Sequence, residues 1–156
     1  MKRLESISHS QALEVLDKVD FFDNLTEEEK DILTGFHSHF FLAPKGEIII
    51  KEGARGECFY ILLSGKVGVK KKTSVRPLAN LHPGSCFGEV FFLTERCRTT
   101  SIVSLVHSIL FEVTQPTLKH FGQSIREKIK DNLIRVLANR LDHMNDVVAK
   151  LGSRLQ

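Results

Sequence analysis

The chain has 156 residues, enough for one domain with a substantial core. Hydrophobic residues make up 42% and charged residues 26%, and a net charge of only +3 without a long basic arm argues against direct nucleic-acid binding. No apolar run is long enough to span a bilayer, Met1–Ser6 lacks the apolar core of a signal peptide, and three cysteines without paired spacing make no disulfide framework, so a cytoplasmic chain with reduced thiols and no membrane contact is expected.

The first predicted element is a helix from Ser10 to Val19, with Ala12, Leu13, Val15, Leu16 and Val19 on its apolar stripe. Phe21, Phe22 and Leu25 mark a connector. Thr26-Glu27-Glu28-Glu29 then reads as a capping box: the Thr26 hydroxyl can accept from the Glu29 amide while the Glu29 carboxylate reaches back to Thr26. Ile32 and Leu33 give this second helix its apolar face, and Gly35 can end it.

From Phe36 the period changes. Phe40–Leu42, Glu47–Lys51, Cys58–Leu63, Lys66–Lys70, Val75–Leu81, Thr99–Val106 and Ser108–Val113 are short strand-like runs. Turn signals such as Pro44-Lys45-Gly46, Gly53–Gly56, Ser64-Gly65 and Pro83-Gly84 separate them. Evenly spaced short strands predict an antiparallel sandwich or small barrel.

Pro116 suits the first turn of a helix, where its missing N–H costs nothing. Ser124 to Leu151 reads as one long helix carrying two stripes. Ile125, Ile129, Leu133 and Val136 face the barrel. Ile134, Leu137, Leu141, Met144, Val148 and Leu151 step by three and four, as a and d positions of heptads do, and predict a homodimer through a parallel partner helix. The expected division is a helical segment over 1–35, a β-barrel over 36–113 with the site at 86–100, and closing helices over 114–156.

Cys86–Thr100 is the candidate site. Gly88 permits close backbone approach, and the run after it can form a helical turn with free N–H groups. Arg98 offers a planar fork that matches phosphate oxygens, and Thr99 and Thr100 add hydroxyls. Glu89 would repel a phosphate, so it makes sense as an acceptor for a sugar hydroxyl, with Arg98 offsetting its charge. The combination points to a ribose phosphate.

This stretch resembles the phosphate-binding cassette of the cyclic nucleotide-binding domain, the family of catabolite activator protein, the regulatory subunit of cAMP-dependent protein kinase and cyclic-nucleotide-modulated channels. Gly46, Ile48, Glu52-Gly53, Tyr60-Ile61-Leu62, Gly65-Lys66-Val67 and Pro83–Glu89 are also similar to the family pattern, which covers nearly the whole chain. The resemblance implies a mainly β fold, a β-jelly-roll barrel with N-terminal helices and a long C-terminal lid and dimerisation helix. It implies a non-catalytic regulatory module that needs no cofactor or metal and whose ligand is cAMP or cGMP, with cAMP favoured.

By the same resemblance, Gly88, Glu89 and Val90 hold ribose and phosphate, and Arg98 and Thr99 hold phosphate. Asn139-Arg140-Leu141-Asp142 is similar to the channel segment that reaches the base, which makes Arg140 a candidate cap. Val136 and Leu81 are candidates to pack on the purine. Phe91 departs from the family, which has a small residue there; it either crowds the phosphate or turns into the barrel, and it belongs to the candidate base-end set.

Two other readings compete. The chain can be a degenerate relative that serves as a dimerising scaffold, with Phe91 blocking the site. It can also be a cupin-type metal enzyme built on His37-Ser38-His39, although Glu47 lies beyond a Pro-Gly turn and His82 and His107 are scattered.

Overall fold

A computed structural model describes residues 1–36, 39–94 and 96–155, and all of their side chains except those of Phe91 and Phe92. Helix α1 (His9–Asp17) opens on a capping box between Ser8 and Gln11. A 3-10 turn (Asp20–Phe22) leads to α2 (Glu27–Thr34), whose predicted capping box forms: the Glu29 amide donates to Thr26 Oγ1 at 3.2 Å and the Thr26 amide to Glu29 Oε1 at 3.0 Å. Leu33 is buried, but Ile32 is 47% exposed. Neighbours on a helix point about 100° apart, so a two-turn helix docks only one of them.

Two antiparallel sheets make the body. The first joins β1 (Lys2–Arg3), β2 (Phe40–Ala43), β9 (Ser108–Thr114), β4 (Cys58–Ser64) and β7 (Cys86–Phe87) in that order. The second joins β3 (Ile48–Ile50), β8 (Ser101–Ser104), β5 (Val67–Lys70) and β6 (Ala79–Leu81). This is the β-jelly-roll architecture with flanking helices.

Alternation along β4 explains why an unbroken apolar run is a strand. Phe59, Ile61 and Leu63 join the cluster formed with Leu16, Leu33, Leu118 and Ile129 of the helices. Tyr60 and Leu62 join Ile50, Val67 and Ile102 of the opposite sheet. Both faces are therefore buried, and period 2 disappears from the sequence. Phe111 on β9 anchors the helical side, with ring centroids 4.9 Å from Phe40 and 6.2 Å from Phe121.

Two predicted strands shrink by half or more. The run Val75–Leu81 pairs only over Ala79–Leu81: Pro77 has no N–H to give a ladder, and Val75 lies fully exposed. The run Thr99–Val106 pairs only over Ser101–Ser104, because the chain turns at once into β9, with Ser104 Oγ donating to the Val106 carbonyl at 2.6 Å. Strands β1 and β7, two residues each, are too short to leave a periodic signal.

After β9, Thr114 caps α4 (Gln115–His120) by accepting from the Thr117 amide, and Pro116 occupies its first turn. Helix α5 (Gln123–Arg154) then runs 32 residues, about 48 Å. Its first half is bound to the body. Ile125, Ile129 and Leu133 are buried, Ser124 and Lys128 donate to Glu29, and Asn132 Nδ2 donates to the Phe21 carbonyl at 2.6 Å.

Candidate functional site

Strand β7 runs into Gly88 and then α3 (Glu89–Thr94). Gly88 has φ +83°, and a Cβ there would lie 2.7 Å from Nη1 of Arg98. Both the turn and the neighbour require glycine. The Arg98 side chain donates to the Gly88 carbonyl at 2.6 Å and to the Cys58 carbonyl at 2.7 Å, and the residue is only 8% exposed. A Cβ on Gly56 would lie 2.5 Å from the other terminal nitrogen, Nη2. Gly56 and Gly88 thus form the slot that holds the guanidinium. Sequence reasoning placed Gly56 in a turn and missed this role.

Glu89 at the start of α3 is 5% exposed. Its ion partner is Arg140 of α5, with Nη1 2.5 Å from Oε1. Arg140 Nη2 also donates to the carbonyl of Cys86. The sequence reading set Arg98 against this carboxylate; the structure brings Arg140 to it from α5 as well. Burial, with Glu89 adding to it, pushes the Cys86 thiol up to about 12, so this cysteine is a neutral core residue.

These groups line one cavity of about 690 Å³, a volume typical of small-molecule sites. Gly88, Glu89, Val90, Arg98, Thr99 and Thr100 form the cassette wall. Val136, Asn139, Arg140, His143 and Met144, spaced by three and four on one face of α5, form the facing wall, and Leu81, Asn80 and Val69 come from the second sheet. The fold thus gathers every candidate residue with a described side chain. Phe91 lies outside that set, since its side chain is not described. Asn80 and His143 were not singled out from sequence, and Asn139 was named only as part of the segment around Arg140. The spacing of Asn139 and His143 from Val136, three and seven residues, was the available signal for these two.

Met144 lines this cavity and Leu137 packs against the domain's own core. The predicted six-residue seam therefore loses Leu137 to the core, leaving Ile134, Leu141, Met144, Val148 and Leu151 between 53% and 65% exposed. A straight helix drifts about 20° per heptad, so one seam cannot keep a single direction.

His37 and Ser38 of the cupin-type pair lie outside the described residues. His39 sits between the first sheet and α4, with Nε2 3.3 Å from Thr117 Oγ1 and Nδ1 3.8 Å from Glu112. Burial lowers its pKa, against the opposing pull of Glu112. Among the described residues, no three His, Cys, Asp or Glu side chains come together as a metal would require.

A match to the cyclic nucleotide-binding domain spans residues 41–124. The chain belongs to this family. It is a cyclic nucleotide-binding regulatory domain with the family's mainly β architecture. The cGMP-dependent protein kinase egl-4 of Caenorhabditis elegans is 30% identical over 128 residues, which is 80% of this chain and 16% of the kinase. The chain therefore spans under a fifth of that relative. The catabolite activator protein of Thermus thermophilus superposes with a TM-score of 0.70 at 29% identity, covering 85% of this chain and 62% of that one. A cyclic nucleotide-binding domain from Methylobacillus flagellatus shares the fold with a TM-score of 0.74 at 20% identity, over 91% of this chain and 83% of that one. No helix among the described residues is long and apolar enough to cross a membrane.

Proposed function

We propose that this chain is a non-catalytic module that binds a purine 3′,5′-cyclic monophosphate and converts binding into movement of α5. The observation that carries this reading is the single cavity shared by Arg98, Glu89 and the inner face of α5. Arg98, held by two carbonyls and two glycines, would meet the phosphate with Thr99 and Thr100. Glu89 would accept from the ribose 2′-hydroxyl, with Gly88 and Val90 shaping the turn. Leu81 and Val136 would flank the base, while Arg140, the candidate cap, lines the same cavity from α5 and holds Glu89. The segments 1–35, 36–113 and 114–156 would act as support, receptor and output.

The ligand we favour is cAMP. Leu81 and Val136 offer apolar surface, and adenine has fewer polar groups to strand there than guanine. The hydroxyl of Thr99 is the one feature that favours cGMP. Two copies would pair along Ile134, Leu141, Val148 and Leu151 of α5.

Calorimetric titration with both nucleotides tests the reading, with tighter binding expected for cAMP. Arg98→Ala should weaken binding about ten- to 150-fold, the range for losing charged hydrogen bonds of roughly 1.5–3 kcal/mol. Unchanged affinity in that variant removes Arg98 from the site. A wild type that binds neither nucleotide favours a dimerising scaffold.

A further inference from the structure

Arg140 occupies the group that a ribose would need. Its guanidinium bridges the Glu89 carboxylate, at 2.5 Å, and the Cys86 carbonyl, on either side of the Gly88 turn. Glu89 is nearly buried, and a buried carboxylate is costly unless a cation or a hydrogen-bond donor satisfies it. Arg140 and a sugar hydroxyl are therefore rival ways to satisfy the same group.

The rest of α5 shows what that rivalry would move. Up to Leu133 the helix is pinned by Ser124 and Lys128 on Glu29, by Asn132 on the Phe21 carbonyl and by three buried apolar residues. Beyond it, from Leu141 to Leu155, nearly every residue is exposed. Arg140 is the charged contact that ties this outer half to the cassette.

We infer that Arg140 is an intramolecular competitor for Glu89, so that the ribose 2′-hydroxyl is the part of the ligand that releases the outer half of α5. This rests on the nucleotide reading above and adds its trigger. A ligand shifts a conformational equilibrium only through unequal affinity for the two states. The hydroxyl supplies that inequality, because it can take Glu89 only when Arg140 leaves. The pivot falls just after Leu137, the last residue of α5 packed against the core.

The test compares cAMP with 2′-deoxy-cAMP on wild type and Arg140→Gln by calorimetry. 2′-Deoxy-cAMP makes no demand on Glu89, so its affinity is the reference that Arg140→Gln should leave unchanged. Loss of competition helps only the ligand with the hydroxyl. The ratio of the 2′-deoxy-cAMP to the cAMP dissociation constant should therefore rise about three- to tenfold in Arg140→Gln. An unchanged or smaller ratio, as when the hydroxyl uses the second carboxylate oxygen beside a resident Arg140, overturns the inference.

Amide hydrogen exchange on the nucleotide-free protein gives an independent readout. Arg140→Gln and Glu89→Gln should each speed exchange over 138–151 several-fold while 125–137 stays protected. Unchanged exchange overturns the latch whatever the nucleotides do. Faster exchange with no binding of either nucleotide means that the nucleotide reading has failed and the latch has not.

Discussion

Arg98 is held in place by what its neighbours lack. Two glycines, Gly56 and Gly88, leave room for the guanidinium, and two carbonyls take its N–H groups. Gly88 was legible because it sits inside the cassette, ten residues before Arg98. Gly56 was not, since a missing side chain opposite a distant arginine has no local signature. Gly56→Ala should leave the fold intact, because the clash is with the far end of a flexible side chain. It should nevertheless displace the guanidinium and weaken nucleotide binding roughly tenfold, the scale of one charged hydrogen bond. Circular dichroism and calorimetry on the same sample check both halves. Wild-type affinity in that variant shows that the slot does not position Arg98.

Helix α2 and helix α5 meet at Glu29, which was legible as a cap and nothing more. Its carboxylate closes the capping box and also accepts from Ser124 at 2.9 Å and Lys128 at 2.5 Å. Burial raises its pKa, but the hydrogen bonds from Lys128, the Thr26 amide and Ser124 outweigh that and hold it at about 2, against an ordinary 4.5. The folded state therefore binds this proton less readily than the unfolded chain. The stabilisation is complete above about pH 4.5 and is lost as pH falls toward about 2. Thermal melts across that window should show the melting temperature of wild type falling faster than that of Glu29→Gln. Parallel curves would mean that another carboxylate carries the acid sensitivity. The same helix pair shows where stripe reading fails. Leu137 fits the heptad, yet it packs inward against the domain's own core.

At the scale of the whole molecule, the exposed face of α5 is the feature a single copy does not use. Ile134, Leu141, Val148 and Leu151 stand over half exposed along one helix. A second copy laid parallel would cover them in a short coiled coil. Because Leu141 is 63% exposed, Leu141→Lys should not disturb the core. It should convert dimers to monomers in sedimentation with little change in melting temperature. A wild type that already sediments as a monomer removes the second copy from this face.

Period and local chemistry determined much of this protein from sequence alone. The caps, the turn glycines and the contiguous cassette each depend on residues within a few positions of one another, so they can be read along the chain. The tertiary structure alone decided which cation holds Glu89, which face of α5 lines the cavity and why Gly56 is small. Arg140 and Glu89 lie 51 residues apart and meet only because α5 docks where Glu29, Phe21 and the buried stripe place it. That docking angle is the sum of many apolar contacts, and no single segment encodes it.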